Sequence, residues 1–345
     1  MGLDKNCGFT IGKGKPGKLN LITDVPGVKV GNVTLRDGDV NTGVTAILPH
    51  EGNMFHDKVM ASSVVINGFG KTMGLVQVEE LGTIETPIVM TNTLNIGTAA
   101  TALIKYMMAQ NPDIGVDTGT VNPIICECND GSLNDIRGLH VTEEHVLNAL
   151  ANADVQFAEG VVGSGTGMTC LGMKGGIGSA SRVVKLDKKE YVIGALVMSN
   201  FGEFGNLRID GEPVGRRIKD AQNKCKKDKG SIIMLLATDI PLNERQLKRI
   251  CRRAGVGLAR TGSFYGNGSG DIAIAFTTAN RVPHYSDSAF VPVTMMDDEH
   301  IDPVLEMSAE VVEEAIISAL WHAETITGRG GKVRRSLRDY LGDLD

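Results

Sequence analysis

The chain has 345 residues and a formal net charge of −6, which argues against a general nucleic-acid binder, where a basic surplus is the usual footprint. No apolar run approaches the roughly 20 residues of a membrane-spanning helix, and the polar start Met1-Gly2-Leu3-Asp4-Lys5-Asn6 has no signal-peptide core, so a cytoplasmic protein is expected. Glycine is the outlier at 43 residues, well above the usual share of about 7%, and the apolar runs between the glycines point to tight turns and close backbone approaches rather than disorder.

Residues 1–17 are polar and glycine-rich and read as an extended arm. Leu21-Ile22-Thr23 is strand-like, Val25-Pro26-Gly27 is a turn, and the alternation over 28–35 suits a half-buried strand. Strands over 42–48, 62–67 and 86–91 follow, separated by glycine or charged turns. Ile96, Ala99, Ala100, Leu103, Ile104 and Met107 recur at helical spacing and predict a helix over 96–110, ended by Asn111-Pro112. Thr142 is the candidate N-cap of the next helix.

Residues 161–173 and 175–181 are dense in glycine, and 183–184 and 191–198 return to strand. The charged run 215–230 reads as an exposed helix-to-loop segment, and the apolar run from Ser231 as a strand. Asp239-Ile240-Pro241 opens a basic amphipathic helix reaching Arg253, with Pro241 in a first turn where its missing N–H costs nothing. A strand over 272–278 and the longest helix, over 303–325, complete the pattern. In the tail, Arg334, Arg335 and Arg338 are candidates for pinning a neighbouring subunit. Interleaved strands and helices with no linker predict one domain over 1–345, a layered α/β (α+β) sandwich.

Six cysteines in so long a chain do not form a disulfide framework, and Cys126-Glu127-Cys128 is too tight for a zinc knuckle. Buried thiols are expected. No His-Glu-x-x-His occurs, so the metal-hydrolase reading is weak. Gly165-Thr166-Gly167 would need a third glycine where Cys170 stands, and there is no Gly-Lys-Ser/Thr, so turn chemistry or a site wall fits better than a phosphate cradle.

The junction Gly230-Ser231 carries two readings. The plain one is a loop feeding a buried strand. The sharper one is a self-cleavage site, because a hydroxyl attacking its own preceding carbonyl needs a backbone path that glycine tolerates. The cut would leave Ser231 a free α-amine, whose reference pKa of about 8 suits a general base. Local chemistry leaves both readings open.

Three further features accompany this junction. Gly266-Asn267-Gly268-Ser269-Gly270-Asp271 is either a glycine-rich turn or a device bringing a hydroxyl and a carboxylate to a strand end. Asn200, near the end of the 191–198 strand, offers a side-chain amide to an oxyanion. Glu127 offers a carboxylate to a cationic ligand group, next to Asp130, which also reads as a simple turn residue.

An ordered set of motifs then carries a resemblance. Asn20-Leu-Ile-Thr-Asp-Val-Pro-Gly-Val-Lys-Val-Gly31, Thr91-Asn-Thr93, Glu127 through Asp135, Gly165-Thr-Gly-Met168, Lys174-Gly-Gly-Ile-Gly178, Gly230-Ser231, Ala237-Thr-Asp239 and Gly257 through Asp271 occur in this order. Together they resemble the L-aminopeptidase D-Ala-esterase/amidase (DmpA) and β-peptidyl aminopeptidase family, over about residues 10–325.

The resemblance implies a four-layer αββα sandwich, laid out like N-terminal-nucleophile hydrolases and related to ornithine acetyltransferases. It implies self-cleavage before Ser231 into an α-chain, 1–230, and a β-chain, 231–345, which assemble as a homo-oligomer of αβ units without a cofactor. By matching position Ser231 is the nucleophile, Ser269 and Asp271 tune it, Asn200 stabilises the oxyanion and Glu127 holds the free amino group of a peptide, aminoacyl amide or ester. Two positions depart from the family: Asp271 stands where β-peptidyl members carry glutamate, and Ser132 where relatives often carry a bulky residue. The layout shared with ornithine acetyltransferases makes an acyltransferase one alternative, and these departures keep open an uncleaved, non-catalytic binding protein as the other.

Overall fold

The computed structural model describes residues 7–218 and 230–343. Its principal strands, in chain order, are β1 (Lys29–Asp37), β2 (Val40–Leu48), β3 (Asp57–Gly68), β4 (Thr83–Ile84), β5 (Ile88–Asn92), β6 (Ile124–Cys128), β7 (Thr169–Cys170), β8 (Met173–Lys174), β9 (Gly176–Leu186), β10 (Lys189–Asn200), β11 (Ser231–Thr238) and β12 (Gly270–Pro283). The helices that matter here are α1 (Leu75–Leu81), α2 (Ile96–Gln110), α3 (Glu143–Ala151), α4 (Val214–Arg217), α5 (Glu244–Arg260) and α6 (Asp302–His322).

Among the described residues, one sheet has the order β1-β2-β5-β6 and the other β4-β3-β12-β11-β10-β9. The run after Gly230 explains how they stack. Every residue of β11 is buried, and its side chains alternate between two cores. Ile232, Met234 and Leu236 join α5 and α6. Ile233, Leu235 and Ala237 face Ile88, Met90, Ile124 and Cys126 of the other sheet. A strand covered on both faces reads as a continuous apolar run. Ala99, Leu103, Val146 and Ala149 place α2 and α3 in the second core, against the four-stranded sheet. The order of layers is helix, sheet, sheet, helix, the αββα sandwich expected.

Most expected elements are present with shifted ends, and the shifts have local causes. Helix α5 begins at Glu244, not at Asp239, because Asn243 is the cap: its side chain accepts from the Gln246 N–H, and Gln246 returns a bond to the Asn243 N–H. It continues past Arg253 to Arg260, and at Gly257 a side chain would stand 2.4 Å from the Ala309 carbonyl, so the glycine lets α6 lie against it. The glycine-dense stretch 175–181 belongs to β9, where Gly178 admits α6 (a Cβ would lie 2.0 Å from the Ala315 carbonyl). Leu21-Ile22-Thr23 is not a strand: Ile22–Asp24 is a single helical turn whose Asp24 carboxylate accepts the Leu19 and Leu21 N–H groups.

The charged segment expected over 215–230 lies mostly outside the described residues; its first part is the short α4. The tail arginines have uses inside their own chain. Arg335 pairs with Asp343 and stacks on Tyr340, and Arg338 donates to the Ala323 carbonyl. Among the described residues no helix is long and apolar enough to cross a membrane.

Candidate active site

Antiparallel and parallel pairing bring four strand ends to one edge of the larger sheet. In β10 and β11, antiparallel, the last residue Asn200 faces the first residue Ser231. In β11 and β12, parallel, Ser231 faces Gly270. In β3 and β12, antiparallel, Gly68 faces Gly270. Residues scattered over more than 160 positions of sequence thus meet at one place through backbone register.

Ser231 is 7% exposed, and its Oγ accepts the Gly270 N–H at 3.2 Å. It shares the parity of Ile233 and Leu235, the residues that face the second sheet. Ser269 is buried and donates its hydroxyl to Asp271 Oδ1 at 2.6 Å. The donor is thereby committed, and the Ser269 oxygen keeps lone pairs with which to accept a proton from a neighbour. Gly230 has a steric role sharper than the one read from sequence. A Cβ there would lie 1.9 Å from the Asn200 carbonyl oxygen and 2.4 Å from Phe201 Cα, so only glycine lets the chain before Ser231 run against the end of β10.

Asn200 is held on both sides of its amide. Oδ1 accepts the Thr169 N–H at 2.8 Å, and Nδ2 donates to the Asn129 carbonyl at 3.0 Å. The Thr169 N–H fixes which way the amide points, leaving a second Nδ2 hydrogen beyond the one spent on Asn129. Glu127, 3% exposed near the end of β6, is also gripped twice: Oε1 accepts the Lys71 N–H at 2.8 Å and Oε2 accepts the Thr93 hydroxyl. The segment Phe69-Gly70-Lys71 joins the two halves of the site. The Phe69 N–H donates to the Ser269 carbonyl while the Lys71 N–H holds Glu127. Gly70 sits between them, where a Cβ would be 3.6 Å from Glu127 Oε1 and 3.7 Å from Gly270 Cα.

The structure thus brings Gly230, Ser231, Ser269, Asp271 and Asn200 together, with Glu127 linked to them through 69–71. Sequence reasoning missed Lys71, Gly70 and Thr169, which contribute through backbone groups that leave no side-chain signature. Thr93 was visible inside the Thr91-Asn92-Thr93 motif, without a role. Ser132 lies half-buried in the turn after β6, where the Asp130 carbonyl accepts the Leu133 and Asn134 N–H groups.

The thiols flanking Glu127 are poor candidates for a nucleophile. Cys7, Cys126, Cys128, Cys170 and Cys251 are buried, and Cys126, Cys128 and Cys251 are free. Burial pushes Cys126 up to about 12 and Cys128 well above the ordinary thiol value, and the Glu127 charge adds to both, so each stays protonated. The glycine cluster at 163–167 is packed with backbone. A Cβ on Gly165 would be 2.4 Å from the Ile177 nitrogen, and one on Gly167 2.3 Å from the Asn41 carbonyl, which leaves no room for a phosphate. Among the described residues no group of three His, Cys, Asp or Glu side chains is arranged to hold a metal.

Two sheets between helices, with a serine opening the central strand behind a glycine, define the layout of N-terminal-nucleophile hydrolases. Comparison with known proteins agrees. The model of peptidase family S58 matches residues 20–334, and the chain belongs to that family. The β-peptidyl aminopeptidase BapA of Sphingosinicella microcystinivorans is 39% identical over 342 residues, covering 92% of this chain and 85% of the relative. Among solved structures, the PH0078 protein of Pyrococcus horikoshii OT3 superposes with a TM-score of 0.94 at 53% identity, over 99% of this chain and 98% of that one. The L-aminopeptidase D-Ala-esterase/amidase of Ochrobactrum anthropi, a prototype for the serine aminopeptidases and a variant of the Ntn hydrolase fold, superposes at 0.90 with 39% identity, over 96% and 95%. The chain is therefore a hydrolase.

Proposed function

We propose that the chain is an autoprocessing serine aminopeptidase/amidase that releases N-terminal amino acids from peptides, aminoacyl amides or esters through an acyl-enzyme on Ser231. The observation that carries the reading is the convergence on Ser231. Its Oγ accepts the Gly270 N–H, and the residues flanking Gly270 are the hydrogen-bonded pair Ser269 and Asp271. In the precursor the Ser231 hydroxyl attacks the Gly230 carbonyl, the C–N bond breaks as an ester forms and the amine takes the proton, and water then hydrolyses the ester to give 1–230 and 231–345. The freed amine, or Ser269 backed by Asp271, then takes the Ser231 proton as the oxygen attacks a substrate carbonyl. The spare amide hydrogen of Asn200 stabilises the oxyanion. Water releases the amino acid from the acyl-enzyme.

Glu127 gives the exopeptidase restriction. Its two oxygens are oriented by Lys71 and Thr93 and retain acceptor capacity for a substrate ammonium. An L-α- and a β-amino acid both present such an ammonium, and the names of the relatives cover both kinds of residue. Exposed Phe290, Val293 and Met295 supply apolar surface for a homo-oligomer of αβ units. The free, buried thiols of Cys126, Cys128 and Cys251 fit a reducing, cytoplasmic setting.

Intact mass and N-terminal sequencing of the purified protein test the reading first. A fragment beginning at Ser231 is expected, and Ser231→Ala is expected to abolish both the cut and the hydrolysis of L-, D- and β-aminoacyl p-nitroanilides. A chain that stays whole and binds amino acids without turnover would overturn the reading in favour of a binding protein. Capture of the acyl group by an added amine faster than by water would mark an acyltransferase.

A further inference from the structure

Lys174 is fully buried, an unusual position for a lysine. Among the described residues no carboxylate forms an ion pair with its ammonium. Nζ instead donates to the carbonyls of Gly165 at 3.0 Å, Met168 at 2.8 Å and Gly175 at 2.6 Å. An ammonium has three donors on one compact point, so this set uses all of them. The Gly175 N–H closes the same ring on the Met168 carbonyl at 3.0 Å. Burial pushes the lysine down to about 7, so the charge stands against a desolvation cost that these acceptors offset.

The ring that Lys174 closes contains the group that orients Asn200. Thr169 follows Met168, pairs with Lys174 across the β7–β8 hairpin, and gives its N–H to Asn200 Oδ1 at 2.8 Å. The return of the loop is equally tight: a Cβ on Gly175 would lie 2.4 Å from the Ser199 carbonyl. A side-chain amide is nearly symmetric in shape, and the Thr169 N–H at Oδ1, acting with the Asn129 carbonyl at Nδ2, keeps Nδ2 pointing the other way.

We propose that Lys174 is a positioning residue for the hydrolytic reaction, holding the 165–175 loop so that the Thr169 N–H locks the Asn200 amide with its nitrogen toward the oxyanion. The inference rests on the role assigned to Asn200 above, and the experiment separates the two.

The test is a mutant cycle on aminoacyl p-nitroanilide hydrolysis, with kcat expressed per processed chain as counted by intact mass. Lys174→Met keeps the unbranched apolar stem of the side chain and removes every donor. It is expected to lower kcat at least about tenfold with KM changed less than about twofold, the split of an interaction made only in the transition state. Asn200→Ala alone is expected to lower kcat by about 100-fold or more. In the Asn200→Ala background Lys174→Met should cost less than about twofold further. Lys174→Gln, with two donors, should fall between wild type and Lys174→Met.

Unchanged kcat for Asn200→Ala would overturn the oxyanion reading itself and the inference with it. A loss for Asn200→Ala joined by a full additional loss for Lys174→Met would overturn the inference alone. Failure of both Lys174→Met and Lys174→Gln to fold would also overturn it, by making the lysine a purely structural residue.

Discussion

Ser269 donates its hydroxyl to Asp271 at 2.6 Å, and the glycine between them gives its N–H to Ser231 Oγ at 3.2 Å. Of three consecutive residues around the start of β12, the middle one addresses the Ser231 oxygen through its backbone, and its two neighbours form a buried acid–hydroxyl pair. Because β11 and β12 are parallel and in register at Ser231 and Gly270, the arrangement is a property of the sheet and not of a mobile loop. In the proposed function it takes the logic of a triad, with Ser231 as nucleophile, Ser269 as hydroxyl relay and Asp271 as orienting carboxylate.

Asp271→Asn preserves an acceptor for the Ser269 hydroxyl and removes the charge. If the pair tunes Ser231, kcat falls by about 10²–10⁴ with KM nearly unchanged. Steady-state kinetics on processed enzyme checks this, and a kcat within twofold of wild type would remove Asp271 from the mechanism.

Gly230→Ala places a methyl 1.9 Å from the Asn200 carbonyl oxygen. The strand start must move away from the end of β10, and a displacement of about 1 Å at a reacting centre costs about 10² in rate. Precursor should accumulate, visible as an uncut band on a denaturing gel over hours. Processing at the wild-type rate would show that the close approach is irrelevant to the cut.

Glu127→Gln keeps the shape of the side chain and removes the charge that a substrate ammonium would meet. A hydrogen bond to a charged group contributes about 1.5–3 kcal/mol, so kcat/KM should drop by roughly 10–100-fold. N-acetylation of the substrate should cause at least as large a loss in wild type and little further loss in the variant. Equal discrimination by both enzymes would place the amine elsewhere.

Asp130, in the turn that supplies the Asn129 carbonyl to Asn200, yields a stability prediction. Burial pushes its carboxyl up to about 6, and hydrogen bonds from Thr42 and Asn134 offset this only in part. The folded state binds this proton more tightly than the unfolded chain does, so the contribution is complete below about pH 4 and is lost as pH rises through about 6. Asp130→Asn removes that slope and should stabilise the protein at pH 7 by up to about 3 kcal/mol. Urea unfolding at pH 4.5 and pH 7 reads it out, and an unchanged difference between the two pH values would refute the assignment.

Much of this architecture was legible in the order of residues. The 96–110 helix, the apolar strand from Ser231 and the long C-terminal helix appear almost where periodicity places them, because each buries a wide apolar face and no competing signal interrupts it. Strand β6 was not read, although it carries Glu127. It is five residues long and buried throughout, and such a strand shows no alternation to mark it. The start of α5 was misread because Pro241 imitates a first turn, while the Asn243–Gln246 capping box lies further along.

The motif residues Gly230, Ser231, Ser269, Asp271, Asn200 and Glu127 were identifiable as types of chemistry from sequence alone, and their order marked the family. Their meeting was a matter of tertiary structure. Strand register sets Asn200 and Gly270 on either side of Ser231, and contacts between distant backbones demand glycine at 230. The neighbours that orient the site, the N–H groups of Lys71, Thr169 and Gly270, belong to the backbone that every residue shares. No residue type announces them. Only the folded chain shows which of those groups points at Ser231, Asn200 or Glu127.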